Sequence, residues 1–437
     1  MIEREIEATR IVAQVTAEKT PDMEAWEQAV LTAALGSGTR ALEAVLANVG
    51  SGRRKDPVRC ACGGTMHSVG LRDKAVVTVL GTVNYSRSLF VCPVCGASCF
   101  PGDRALDMEH TGFSPGVRRM MARAGARGSF VEAEEDLRVY AHVAVSRRDI
   151  ERVSEDVGRQ IEACACRRSK NADAPVAAIP IMYVSYDGTA APMRKGELKG
   201  CRGKRTGENA KGREVKVGCV FTQTTVDEDG FAVRDENSTT YVAGIESSTF
   251  FGDRIYVEAV ARGIEHARRV VILTDGAAYN RTIAQTHFSG ALHIIDLYHA
   301  REHLTDLGDT LRIEPFLRAQ WKNLLDAGQI ESLCQAANEI MPHSGARRVL
   351  AKKQIRYFEK NAGRMRYADY RDQGLFVGSG VIEAGCRSVV GLRCKKPGMF
   401  WSRSGAHAIL QTRCSILSRR YDADWDDRAY ERTQPAA

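Results

Sequence analysis

Residues Ile181–Thr189 read IMYVSYDGT. Ile181, Met182, Tyr183, Val184 and Tyr186, interrupted only by Ser185, lead into Asp187 and Gly188, the pattern of a buried strand whose last residue emerges at a sheet edge. An acid is then held at a rigid tip. The pattern recurs at Arg269–Ala278, RVVILTDGAA, where Val270 to Leu273 lead into Thr274, Asp275 and Gly276. Two strands can therefore present carboxylates side by side, and such a pair invites a cation. A carboxylate at the end of a buried strand is costly unless it is solvated, hydrogen-bonded or paired. One Asp-Gly alone could simply cap the following turn or helix. A second one makes a shared role the better reading.

The chain has 437 residues, enough for several domains with ample core. With 44% hydrophobic and 27% charged residues it is neither disordered nor membrane-embedded, and no apolar run nears the roughly 18 residues of a membrane span. The first residues, MIEREIEATR, lack the basic-then-apolar layout of a signal peptide, so the thirteen cysteines are expected to be thiols or metal ligands. The net charge of +8 is concentrated: Arg194 to Lys216, including Lys204 and Arg205, holds nine Lys or Arg against three Glu. That stretch is the expected footprint on a phosphate backbone, or else a solvated glycine-containing loop.

Residues 1–55 read as helices, one capped by Asp22 and a second carrying Leu42, Val45 and Leu46. Within 56–108, Cys60 and Cys62 precede two β-like stretches and Cys92 and Cys95 follow them. The thiol pairs would face each other across a hairpin, as in a zinc ribbon, although one residue between the first pair is fewer than usual. Cys99 and His67 are spare candidates. Residues 109–168 contain two capping signals, Ser129 with Glu132 and Ser146 with Asp149, ahead of helices joined by a short turn. This suggests a helix-turn-helix DNA-binding domain with Arg147, Arg148 and Arg152 on the exposed face of its second helix, although a plain helical hairpin fits the same pattern.

From residue 178 to 300 the order is three strands that can pair antiparallel, then helix, strand, helix, strand. That is the order of the ribonuclease H-like fold, an α/β fold in which the first and fourth strands are neighbours, so Asp187 and Asp275 would meet. Residues 301–372 read as an all-helical insertion. Residues 373–420 resume the core, with Ser379 and Gly380 opening a helix whose first turn holds Glu383, and 421–437 form a tail. Two Asp and a Glu suit Mg²⁺ or Mn²⁺, hard ions that take oxygen ligands. Two such ions can activate an attacking oxygen and stabilise a leaving one at phosphorus. Past Glu383, Lys395, Lys396 and Trp401 interleave charge with an aromatic, which suits a distorted DNA strand, although a solvated surface fits each of them as well.

The segments YVSYDGTAAPM, KVGCVFTQT, VVILTDGAAYN, IIDLYHAREHL and VGSGVIEAGC, in this order, resemble a bacterial insertion-sequence transposase of the DDE type, close to the Kra insertion-sequence family. The resemblance runs from about Cys60 to about Leu417. It implies that Asp187, Asp275 and Glu383 hold two catalytic Mg²⁺ ions and that the helical segment is inserted before the Glu, while the zinc expected from the cysteine pairs would be structural. It also implies double-stranded DNA as partner, both element ends and target, a homodimer or higher oligomer on it, and a cytoplasmic, nucleoid-associated protein. Asp296 and His299 in DLYH are similar to the Asp-x-x-His motif of Mutator-like transposases and are expected as active-site support. His299 with His303 could instead bind zinc or merely pack. Where the family pattern has an aromatic-rich WIWN-like stretch after Asp275, this chain has Tyr279, Asn280 and Arg281. The competing functions are a stand-alone nuclease or resolvase on the same fold, and a DNA-binding regulator without catalysis.

Overall fold

The computed structural model describes residues 22–49, 51–52, 57–168, 178–201 and 210–433. Lys204 and Arg205 lie outside the described residues. The chain divides into two compact units, residues 1–157 with 425–437, and residues 158–424.

In the first unit Met23–Val49 is one uninterrupted helix, where the sequence suggested two. Asp22 caps it, its side chain accepting from the N–H of Ala25 at 3.1 Å. Gly36 and Gly38 do not break it, because each costs only about 1 kcal/mol in a helix otherwise rich in Ala and Leu. Gly38 also lets Leu80 approach closely. By length and composition alone, Met23–Asn48 is long and apolar enough to cross a membrane, where the sequence reading found no run near that length. Its C-terminal half is tied down: Leu46 packs with Val76, Val83, Tyr85 and Met108, and Thr39 donates to the Leu80 carbonyl.

That core belongs to an antiparallel sheet of β1 (Val58–Arg59), β2 (Thr65–Thr78), β3 (Gly81–Val91) and β4 (Ser98–Cys99), in that order. Asp103, 3% exposed, accepts from Lys74 at 2.8 Å, Tyr85 at 2.7 Å and Arg87 at 3.1 Å, which pairs and satisfies a buried charge. Helices Pro115–Arg127, Phe130–Tyr140 and Arg147–Arg168 follow. Ser129 and Glu132 form the reciprocal capping box. At Ser146 the hydroxyl accepts from the Asp149 N–H and donates to its carboxylate. Ile150, Val153 and Val157 are all buried, as their spacing requires.

The second unit is built on a mixed five-stranded sheet. β5 (Ile179–Pro192), β6 (Gly212–Gln223) and β9 (Thr240–Gly244) are antiparallel, β7 (Thr225–Val226) and β8 (Ala232–Val233) form a small separate hairpin, and β10 (Ala267–Thr274) and β11 (Leu292–Ile295) run parallel to β5. The order across the sheet is β11-β10-β5-β6-β9. Met182, Val184 and Tyr186 point to one face, where helices Ser248–Ala261 and Ala278–His287 supply Phe251, Ile255, Ala259 and Ile283. Tyr183, Ser185 and Asp187 point to the other. Both faces are covered, so β5 reads as a nearly continuous apolar run. β5 does not end at Asp187: it pairs with β6 as far as Pro192, whereas its pairing with β10 stops at Ser185 opposite Leu273. Asp187 therefore lies inside a strand, just past the point where the parallel neighbour departs.

Helices Leu297–Leu311, Pro315–Asp326, Ile330–Glu339, Ala346–Asn361 and Tyr367–Asp372 follow β11 with a core of their own around Trp321, Leu325, Leu333 and Phe358. The chain then returns to the sheet through helix Gly380–Gly385, a π-turn over Cys386–Gly391, and helix Arg403–Leu417.

Candidate active site and candidate metal centre

The parallel register carries Asp187, Asp275 and Asp296 to neighbouring positions at one end of the sheet, since Ser185 pairs with Leu273 and Thr274 with Ile295. Glu383 comes to Asp187 from helix Gly380–Gly385. Burial pushes the Asp187 carboxyl upward, and the charges of Asp275 and Glu383 push it the same way while His299 opposes them. Asp187, Asp275, Glu383 and His299 thus share one electrostatic neighbourhood. Among the described residues the three carboxylates do not form a group whose ligand atoms all lie within 4.8 Å of one another.

Each acid is held by its backbone context. Asp187 Oδ1 accepts from the Gly188 N–H at 2.6 Å. A Cβ at Gly188 would fall 2.5 Å from Glu214 Oε1, so a side chain there would displace the acid or its neighbour. Asp275 Oδ1 accepts from the Ala277 N–H at 2.9 Å and from Asn280 Nδ2 at 2.5 Å. Asn280 is fully buried, and a Cβ on Gly276 would strike the Tyr357 ring. Behind Asp275, Thr274 Oγ1 donates to the Asp275 carbonyl and meets His293 Nε2 at 2.9 Å. Burial first, and then Arg364 and Arg281, push His293 down to about 3. The ring is neutral at ordinary pH and, with Arg364 donating to Nδ1, it donates from Nε2.

Asp296 caps helix Leu297–Leu311 and is 3% exposed. His299 lies at the margin, with Nδ1 3.2 Å from Glu302 and its ring 5.0 Å from His303. His303 stacks on Tyr357 at 3.7 Å and bonds Gln354 at 2.6 Å, which gives that ring a packing role. Lys395 Nζ donates to Thr189 Oγ1 at 2.6 Å, two residues beyond Asp187. Lys396 is half-buried. Trp401 departs from expectation: it is 5% exposed, its indole N–H donates to the Cys394 carbonyl at 3.1 Å, and the buried Arg393 guanidinium lies 4.7 Å from its ring. It is a core residue and offers no face to a nucleic-acid base.

Four nearby residues were given no role beside the acids by the sequence reading. Asn280 and Ser379 touch the acids directly. Lys216, 7% exposed, pairs with Glu214 at 2.6 Å and lies 5.6 Å from the Tyr279 ring. Cys386 Sγ is 4.0 Å from Asp187 Oδ2, and burial, with Asp187 adding to it, pushes its thiol up to about 12. It stays protonated and is no nucleophile. Asn280, five residues past an Asp-Gly turn, and Ser379, at a helix start, had local signals, but neither pointed to the acids.

In the first unit Arg147, Arg148 and Arg152 are exposed, and Arg152 pairs with Asp149 at 3.2 Å. The Sγ atoms of Cys60, Cys62, Cys92 and Cys95 all lie within 4.8 Å of one another, with Cys60–Cys95 at 3.5 Å and Cys62–Cys92 at 3.6 Å. Tetrahedral zinc with bonds of about 2.3 Å needs sulfurs about 3.8 Å apart, so the set fits. Two turns build it, the second one residue longer than the first. Gly63 N–H donates to the Cys60 carbonyl and Gly96 N–H to that of Cys92, both at 2.9 Å, and both glycines have positive φ. His67 is exposed on β2, and Cys99 faces Met66 at 3.6 Å. Cys164 is buried, and the side chain of Cys166 lies outside the described residues.

These features define a mixed α/β protein with carboxylates gathered at one end of a sheet, Asp296 buried, Asp187 and Asp275 half-buried and Glu383 exposed, and a four-cysteine cluster able to bind a metal such as zinc. The chain belongs to the family described as Uncharacterised protein family (UPF0236), which matches residues 68–428. No curated protein matches it. Among solved structures it is similar to a Drosophila P element transposase strand transfer complex, at 9% identity and a TM-score of 0.25, over 75% of this chain and 83% of that one.

Proposed function

We propose that the protein is a DDE-type transposase that binds the terminal repeats of its own insertion sequence and catalyses metal-dependent DNA cleavage and strand transfer. The observation that carries this reading is the shared electrostatic neighbourhood of Asp187, Asp275 and Glu383, residues far apart in sequence and drawn from two adjacent strands and a helix. The sheet order, with β5 between the antiparallel pair β6-β9 and the parallel pair β10-β11, supports a ribonuclease H-like core interrupted by a helical insertion. The motifs quoted above support a relation to the Kra insertion-sequence family.

The donor set is all hard oxygen and carries excess negative charge, which suits Mg²⁺ or Mn²⁺. Asp187, Asp275 and Glu383 would hold the ions, which supply activation of the attacking oxygen and stabilisation of the leaving one. The chain's own residues prepare the site. Asn280 and the Ala277 N–H fix the Asp275 carboxylate, Gly188 leaves room beside Asp187, and Cys386 stays neutral. His299 and Lys395 stand where they can meet phosphate. If Asp187→Asn and Asp275→Asn each abolish Mg²⁺-dependent cutting of DNA carrying the element ends, this reading stands. Wild-type protein that binds such ends without cutting them under any divalent ion would favour the regulator instead.

The four-cysteine sheet supports a zinc ribbon, and helices Phe130–Tyr140 and Arg147–Arg168 support a helix-turn-helix. On this reading, replacing Arg147, Arg148 and Arg152 together with Ala weakens binding to double-stranded element ends. It also flattens the salt dependence by about 0.9 units of log–log slope for each phosphate that is no longer neutralised. A triple variant with wild-type affinity and slope would leave the pair as a plain helical hairpin. Assembly as a homodimer or higher oligomer on paired ends belongs to the same proposal.

A further inference from the structure

Arg364 follows helix Ala346–Asn361 and lies half-buried against β11, the edge strand of the sheet. Its guanidinium donates to His293 Nδ1 at 3.3 Å and to Asn361 Oδ1, and both partners are neutral. Arg254, Arg301 and Arg420, half-buried in the same unit, each hold a carboxylate instead. Beside Arg364 stands a second cation. The Tyr186 hydroxyl donates to the Asn280 carbonyl at 2.8 Å, which fixes the peptide unit leading into Arg281, and the charges of Arg364 and Arg281 both bear on His293. Burial, and then Arg281, hold Arg364 below the ordinary arginine range. Among the described residues neither guanidinium forms an ion pair.

Two guanidinium groups brought together without an acid repel each other, and a half-buried one has also given up part of its water. An oxyanion held by both would offset the two costs, and the planar fork of arginine suits phosphate oxygens. Two further features give the ligand its sign and its place. Arg281 closes the first turn of helix Ala278–His287, whose N-terminal dipole already favours an anion. His293, neutral and tied through Nε2 to Thr274 Oγ1, joins Arg364 to the residue before Asp275. We infer that Arg281 and Arg364 form a binding site for a backbone phosphate of DNA, one that flanks the reacting phosphate and holds the strand in register. The choice of DNA rests on the reading of Asp187, Asp275 and Glu383 as a DNA-cleaving site. A free phosphate ion offers the same oxygens, so inorganic phosphate serves as the probe.

The test uses the zinc-replete full-length protein without added magnesium, melted in sodium phosphate and in sodium chloride of equal ionic strength. Phosphate should raise the melting temperature of wild type, as a ligand of the native state does. Arg281→Gln should need about tenfold more phosphate for the same rise, the loss of one charge-assisted hydrogen bond. Arg268→Gln makes the same charge change at an exposed arginine on the far end of β10 and should behave as wild type. Without phosphate, Arg281→Gln should melt no lower than wild type, because a repulsion leaves with the charge. A lower melting temperature there would give Arg281 a role in the fold and overturn the site. Equal phosphate shifts in all three proteins, or none in wild type, overturn it as well. The second arm follows binding of duplex element ends against salt, where Arg281→Gln should lower the log–log slope by about 0.9, one phosphate, and Arg268→Gln should leave it unchanged. A phosphate effect with an unchanged slope assigns the arginines to free phosphate and overturns the DNA claim. If wild type binds element ends but cuts them under neither Mg²⁺ nor Mn²⁺, the catalytic reading falls, and the two arms still decide the arginine site.

Discussion

Glu383→Gln is expected to lower Mg²⁺-dependent cleavage of element ends by about a thousandfold or more, the scale on which enzymes lose activity when a member of a catalytic unit is removed. The substitution keeps length and shape, and a glutamine oxygen can still face Ser379, so helix Gly380–Gly385 should stay in place. What disappears is one negative charge. That charge is among those holding the Asp187 carboxyl above its ordinary range, after burial and alongside Asp275. A carboxylate raised in the folded state costs stability once pH exceeds its folded pKa and regains it as pH falls back through that value. Without metal, Glu383→Gln should therefore melt no lower than wild type, and at neutral pH slightly higher. Loss of cleavage with undiminished melting temperature and DNA binding is the expected signature. Because the acids act as one unit, adding Asp187→Asn should cost little more. Wild-type single-turnover rates in Glu383→Gln would remove Glu383 from the site.

The strands that carry Asp187 and Asp275 could be read from the sequence because burial on both sheet faces leaves a plain run of apolar residues. The Asp-Gly that follows marks a close approach which the structure explains, with Glu214 beside Gly188 and Tyr357 beside Gly276. The capping residues Ser129, Ser146 and Asp22 were legible for a similar reason: a cap acts within four residues, so its signal is local. The extension of β5 to Pro192 was not, since residues past Asp187 are held by β6 and lack an apolar pattern of their own.

Contacts of long sequence separation were the least visible. Ser379 meets Asp296 across 83 residues, and the sequence offered for Ser379 only the local role of a cap, which its side chain does not perform. Trp401 misled for another reason. Arginine beside an aromatic looks the same whether the pair lies open to a nucleic acid or is packed inside, and here Arg393 is itself buried against the ring. The helix Met23–Val49 shows the opposite error: two helices were read where Gly36 and Gly38, neither at a positive φ, let one run through.

Stripping zinc, or Cys92→Ser, should unfold one end of the N-terminal sheet and leave the other. Around the cysteines the buried cluster holds only Met66, Phe90 and Cys92, with Val58, Cys60 and Cys99 packed against it. So few side chains cannot offset the entropy of ordering β1, β4 and the two turns. Zinc binding supplies on the order of 10 kcal/mol or more in small cysteine sites, and there metal binding and folding are one event. The far end of the hairpin stands on other supports: Val76, Val83 and Tyr85 pack with Leu46, and Asp103 joins Lys74, Tyr85 and Arg87. Between the two ends β2 is mostly exposed, with a register irregularity between Ser68 and Leu71, so cooperativity should break there. Elemental analysis should find one zinc per chain. On its removal, hydrogen exchange should speed up across Phe90 to Cys99 while Val76 and Val83 remain protected. Protein that carries no zinc as isolated, with exchange at Phe90 and Cys92 unchanged by Cys92→Ser, would leave the four thiols as ordinary reduced cysteines.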